Sequence, residues 1–317
     1  MKMRMVQGCV AAMLLPVAAA LAWGAGEPAP PEASAPAEPP LVVLDIGHFI
    51  GSGGAEMPGR INGQRFCETE FWYRYCYDVK ETITQAGYRC EVCNRGNAPK
   101  AEPLLGYAKR AGVVQLNHPD TGVLRYPSKH HADRVSAGMV SADFAVDKKA
   151  ACAVFLHHNS SGSGWTTGAS PSVVIHNKYN GETLADCLIA ALDGEILNHG
   201  MDNKGVGCKK LVRCVDADRA AGWMNTCDDA GIPAAVIEAA FLNNKNHATF
   251  LAEDANARKY AQAIGHGIIA FLKKDPPHKP HLRENPDAPD QGSFGYAAES
   301  RRINVPGARL LVKPKKR

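Results

Sequence analysis

Apolar and polar positions come in alternating blocks along the chain. Leu41 to Ile46 (LVVLDI) is a continuous apolar run of the length that forms a buried strand. From Phe71 the apolar residues recur at Tyr75, Val79 and Ile83, the i, i+4 stripe of a helix, with Gly87 as its natural stop. The same reading predicts strands at Tyr88 to Cys93, Cys152 to His157, Ser172 to His176, Leu211 to Val215 and Ala234 to Glu238. It predicts further helices at His131 to Val146, Thr183 to Leu197 and Ala255 to Leu272, the last with Ile264, Ile268 and Phe271 on one side. Strands alternating with helices imply an α/β fold: one domain with a largely parallel central sheet flanked by helices. Residues 95 to 130 interrupt this rhythm with glycine, proline and polar residues, and are expected to be a functional insertion or lid.

The two ends of the chain have a different character. Lys2 and Arg4 precede an apolar run from Cys9 to Trp23, and small residues follow it, so residues 1–25 read as a secretory signal peptide. The run falls short of the ~20 apolar residues a spanning helix needs, so no stable membrane span is expected once the signal is cleaved. Residues 26–40 are expected to be a linker rich in Pro, Ala and Glu, 41–275 the folded body, and 276–317 a basic, flexible tail. Export places the mature protein in the periplasm, in the cell envelope or outside the cell.

Charge and cysteine content refine this division. The 317 residues carry 36 Lys+Arg against 32 Asp+Glu, a formal charge of +4. The excess sits at the ends, the tail alone holding nine Lys/Arg against four Asp/Glu. The body from 41 to 275 is neutral, which argues against nucleic acid as a partner. Of the 10 cysteines, Cys9 would leave with the signal, and the odd remainder leaves at least one free or intermolecular in an oxidising compartment. Cys90 and Cys93 form a CxxC, but three apart on a strand they face opposite sides, against a shared metal or redox site.

In open α/β sheets the ligand crevice lies outside the carboxyl ends of the strands. Three strands end in residues able to do chemistry: LVVLDIGH in His48, CAVFLHHN in His157, His158 and Asn159, and AAVIE in Glu238. Two histidines and a carboxylate on separate elements make a catalytic zinc set, with a further carboxylate as general base. Glu238, set between Ile237 and Ala239, calls for a partner, because carboxylates are seldom buried alone.

LVVLDIGHFIGSGGAE resembles the first strand and loop of the zinc-dependent N-acetylmuramoyl-L-alanine amidases of the Amidase_3 type. Cys67-Glu68 opening a helix to Gly87, FLHHN, GETLAD, DNKGV, KKLVRC and IPAAVIEAAFLNN are similar to the family's later segments, in the family's order from about 41 to 272. The loop FIGSGGAE and the pair Ala239-Ala240 depart from its usual residues, and 95–130 and 216–232 look longer than its minimal domain.

The resemblance implies His48, Glu68 and His157 as ligands of one Zn2+ per chain, and Glu238 as the catalytic carboxylate. Glu70 competes with Glu68 but points about 200° around the helix; His158 competes with His157 but faces the opposite side of its strand. Asp45 is a candidate to orient a ligand imidazole, and Asn159 and Asn244 are candidates to position substrate. Zinc so held lowers the pKa of its water toward ~7 and polarises the scissile carbonyl. The substrate implied is peptidoglycan, cut at the amide between N-acetylmuramic acid and L-alanine; the alternatives are a related zinc peptidase or aminoacylase on another cell-wall amide, or a non-catalytic peptidoglycan-binding module. An activator protein acting on the insertion is a further expected partner.

Overall fold

In the computed structural model, the described residues are 38–48, 54–95, 99–116, 139–166, 173–195, 212–215 and 222–274. The apolar run at Leu41–Ile46 forms β1, buried along its whole length. The strands that follow are β2 (Arg89–Arg95), β3 (Val114–Leu116), β4 (Cys152–Leu156), β5 (Val173–His176), β6 (Val212–Val215) and β7 (Ala234–Glu238). Between and after them lie α1 (Glu68–Gln85), α2 (Glu102–Ala111), α3 (Met139–Asp147), α4 (Glu182–Glu195), α5 (Gly222–Asp229), α6 (Lys245–Leu251) and α7 (Asp254–Leu272). All belong to one compact unit beginning at Pro39.

The sheet runs in the order β3-β2-β1-β4-β7-β5-β6. β3, β2, β1, β4 and β7 are parallel; β5 pairs antiparallel with β7 and parallel with β6. The sheet is therefore largely parallel, with its direction reversed at one end. The register sets Ile46 beside Leu156 and Leu156 beside Ile237, so β1, β4 and β7 release their chains side by side at one edge.

Strand alternation divides the core into two layers. Val42, Leu44, Ile46, Val92, Val154, Leu156 and Ile237 pack with Phe71, Val79 and Ile83 of α1 and with α4 and α7. Val43, Cys93, Ala153, Phe155 and Val236 pack with α3 and α5 on the other face. Full burial of each of the larger aliphatic and aromatic side chains contributes ~1.5–3 kcal/mol. On α7, a Cβ at Gly265 would lie 2.7 Å from Thr82 Cβ of α1, and one at Gly267 would lie 2.8 Å from Leu188 Cα of α4. Two glycines thus let three helices close up over the sheet.

The supposed insertion is partly regular structure. Glu102–Ala111 is a helix whose buried residues are Leu104, Ala108 and Ala111, and Val114–Leu116 extends the sheet beside β2. The apolar spacing is helical, but Pro103 and Gly106 disguise it; a proline in the first turn of a helix is favourable because its missing N–H has no partner to lose. Residues 117–130, like the signal, most of the linker and the whole tail, lie outside the described residues, as does the 131–138 start of the helix expected at His131 to Val146. The short helices α5 and α6 were not expected.

Cys67, Cys76, Cys90, Cys93, Cys152, Cys187 and Cys227 are unpaired, and all but Cys67 are buried. Cys90 joins one core layer and Cys93 the other, as strand alternation requires. These thiols fill space as small apolar groups.

Candidate metal centre

Past β1 the chain turns sharply at Gly47 and His48. The Gly47 N–H donates to the Leu156 carbonyl at 3.0 Å. A Cβ at Gly47 would lie 2.6 Å from that oxygen and 2.7 Å from His157 Cε1, so only glycine lets the imidazole pass. His48 has φ 61°, a left-handed conformation that costs a non-glycine residue on the order of 1–3 kcal/mol. Three contacts hold it there. Asn94 Nδ2 donates to the carbonyls of Ile46 (3.3 Å) and His48 (3.2 Å), and the Thr69 hydroxyl donates to that of Gly47 (3.0 Å).

Glu68 is the first residue of α1, where the helix dipole favours a carboxylate. Its Oε1 lies 2.6 Å from His48 Nε2 and 2.9 Å from His157 Nδ1. Its Oε2 accepts the Ala55 N–H at 2.7 Å, and the Glu68 N–H returns a bond to the Ala55 carbonyl at 2.9 Å. Burial opposes its ionisation, yet hydrogen bonds from His157 and His48 prevail and hold its pKa at about 2. Glu70 turns away and accepts the Cys67 N–H at 3.4 Å, closing the helix start.

His157 follows β4, where its N–H donates to the Ile237 carbonyl at 3.2 Å and its ring meets Trp223 edge-on at 5.7 Å. His158 points the other way, stacked on Trp72 and Tyr260. The ligand atoms of His48, Glu68 and His157 all lie within 4.8 Å of one another. Glu68 and His157 are buried, whereas the His48 side chain is 29% exposed, so the cluster opens on that side. Glu238 ends β7, the neighbour of β4. Its carboxyl is buried, and burial first, then the nearby Glu68 charge, raises its pKa well above the ordinary carboxylate range.

Two neutral-capable imidazoles and one carboxylate are the donor set of a catalytic zinc site, which keeps a fourth position for water. Donors ~2.0–2.1 Å from a zinc lie roughly 3.3 Å from each other. The distances of 2.6 and 2.9 Å fall within an ångström of that spacing. Gly54 completes the cradle: with φ 72°, its Cβ would lie 2.3 Å from Glu68 Cδ and 2.5 Å from His48 Nε2. The residues fit a metal.

Asp45 is not one of these three donors; its Oδ1 accepts the Ser141 hydroxyl of α3. Asn159 Oδ1 accepts the Ser160 N–H at 2.7 Å. Asn244 caps α6, accepting the N–H groups of Asn246 and His247. Sequence reasoning missed the supports, Ala55, Thr69 and Asn94. Only Asn94 had a legible signal, a polar residue at the end of the strand beside β1.

A family model described as N-acetylmuramoyl-L-alanine amidase (Amidase_3) matches residues 42–270. The chain belongs to this amidase family. The matched span contains the cluster, Glu238 and every described strand but the first residue of β1. The amidase is also similar to the catalytic domain of CwlV, an N-acetylmuramoyl-L-alanine amidase from Bacillus (Paenibacillus) polymyxa var. colistinus. That likeness has 18% identity and TM-score 0.46, covering 74% of this chain and 98% of that one. CwlD from Clostridioides difficile, solved in complex with the GerS lipoprotein, is 15% identical with TM-score 0.46, over 74% and 100% of the two chains. AmiC2 of Nostoc punctiforme is 15% identical with TM-score 0.46, over 74% and 97%. No curated protein matches the chain.

Proposed function

We propose that this amidase is an exported, zinc-dependent hydrolase that cuts the amide between N-acetylmuramic acid and L-alanine in peptidoglycan. The observation that carries the reading is the convergence of His48, Glu68 and His157 at the edge where β7 delivers Glu238. The three would hold the ion, and zinc in such a site supplies a Lewis acid that polarises the scissile carbonyl and acidifies water. Glu238 is the base. Its carboxylate takes a proton from the attacking water as the new C–O bond forms, then passes it to the amide nitrogen as the C–N bond breaks, which regenerates the carboxylate. His48, the exposed ligand, marks the side from which substrate enters.

Export rests on Lys2, Arg4 and the apolar run from Cys9 to Trp23, which lie outside the described residues. Among the described residues, no helix is long and apolar enough to cross a membrane. An activator protein acting on the 95–130 insertion is a further proposed partner; residues 117–130 of that insertion lie outside the described residues. The test is digestion of purified peptidoglycan with and without a chelator, followed by mass analysis. Free stem peptides beginning with L-alanine should appear, vanish with chelator and return with added zinc. Fragments cut at another amide would overturn the bond assignment, and chelator-resistant release would overturn the metal.

A further inference from the structure

We propose that Trp165 is the platform on which a sugar ring of the glycan strand stacks beside the metal cluster. This rests on the function proposed above and names a binding residue for it. Among the described residues the exposed large hydrophobic side chains are Trp165, Tyr179 and Val215. Tyr179 follows β5 and Val215 ends β6, strands that run opposite to β7, so both lie at the far edge of the sheet. Trp165 lies on the stretch that leaves β4 through His157, at the metal edge.

Its exposure is built in. Asn243, itself buried, accepts the Ser161 N–H at 3.1 Å and donates to the carbonyls of Gly162 and Gly164, both at 3.1 Å. The Thr166 N–H donates to the Asn243 carbonyl at 2.8 Å, and the Lys245 N–H donates to the Thr166 carbonyl at 3.3 Å. Trp165 is thus held on both sides by the turn that follows β7.

The indole also reaches the second loop of the site. A Cβ at Gly59 would lie 3.4 Å from Trp165 Nε1 and 3.8 Å from Cζ2. Gly59 is four residues beyond Ala55, whose N–H holds Glu68. The ring therefore spans from the loop after one ligand to the loop before another.

The occupant follows from the chemistry. In the proposed substrate the scissile carbonyl is joined to a pyranose by a short lactyl ether, so a sugar must rest close to the cluster. Residues 159–166 (NSSGSGWT) carry no ionisable side chain. An apolar ring framed by neutral hydrogen-bonding groups suits the C–H face and hydroxyls of an N-acetylated sugar better than a carboxylate-bearing stem peptide.

The experiment uses the full zinc-loaded protein, Trp165→Ala and Trp165→Phe. In the mature protein, without the proposed signal that carries Trp23, Trp72 and Trp223 are buried, so solvent-sensitive emission reports mainly on Trp165. Adding the disaccharide of N-acetylglucosamine and N-acetylmuramic acid, without peptide, should shift wild-type emission to shorter wavelength and protect it from quencher. Trp165→Phe should show neither change. On a disaccharide-peptide substrate Trp165→Ala should raise KM about tenfold at nearly constant kcat, and Trp165→Phe should restore most of the affinity. On a lactyl-peptide without sugar, wild type and Trp165→Ala should match.

An unchanged KM on the sugar-containing substrate would overturn the proposal, as would an emission shift produced by free stem peptide and not by disaccharide. Disaccharide binding without any muramoyl-amide cleavage would keep the platform and remove the proposed function. Cleavage indifferent to Trp165 would do the reverse.

Discussion

Replacing His158 with phenylalanine probes the apolar wall behind the metal cluster. The His158 ring is packed against Phe71, Trp72 and Tyr260 at centroid distances of 4.6, 5.1 and 5.7 Å, and neither ring nitrogen has a hydrogen-bond partner. Burial is the largest influence on it and pushes its pKa from 6.5 to about 3. Because the native pKa lies below the unfolded one, the unfolded chain binds the extra proton between those values. Stability therefore falls as pH falls below 6.5, by about 1.4 kcal/mol per pH unit, until the native ring protonates near pH 3. From pH 7 to pH 5 His158 alone should cost about 2 kcal/mol. His247, held by burial at about 4, adds a parallel slope over most of that range. Phenylalanine keeps the stacking, removes two unpartnered nitrogens and abolishes the proton linkage at this position. The variant should be at least as stable as wild type at pH 7, with its advantage growing by about 2 kcal/mol at pH 5. Urea unfolding of metal-stripped protein at pH 7, 6 and 5 measures the difference. A gap that stays constant with pH would show that the ring titrates normally and is not desolvated.

Two further predictions concern the cluster. Glu238→Ala should retain one zinc by elemental analysis and lose amide hydrolysis, whereas His48→Ala and His157→Ala should lose both; full metal content in either histidine variant would remove that ligand. Gly54→Ala places a methyl group 2.3 Å from Glu68 Cδ at φ 72°, so it should lower zinc affinity at least tenfold while far-ultraviolet circular dichroism stays native. Wild-type affinity in that variant would mean that the 54–55 turn yields without disturbing Glu68.

Much of this site was legible in the sequence because continuous apolar runs end abruptly in His48, His157 and Glu238. Fully buried parallel strands read that way, and their register then aligns the ends. Helical and strand geometry says only that one of Glu68 and Glu70, and one of His157 and His158, can face the metal; the family resemblance picked out Glu68 and His157. The same alternation, applied to Asp45, pairs it with Val43 and turns it toward α3, where it meets Ser141. α2 was hidden because Pro103 and Gly106 read as loop residues although Leu104, Ala108 and Ala111 keep helical spacing. The short α5 and α6 depend on tertiary contacts more than on local pattern, and hydrogen bonds such as those of Asn94 leave no periodic trace.

The unpaired cysteines give the fold a set of internal clocks. Cys76 lies on α1, Cys90 and Cys93 on the two sides of β2, Cys152 on β4, Cys187 on α4 and Cys227 on α5. Each thiol is withheld from reagent while its element stays closed, so its alkylation rate under native conditions reads the free energy of opening at that place. Mass-resolved labelling would rank the elements by local stability without introducing any probe, and would tell whether the two layers of the core open together or separately.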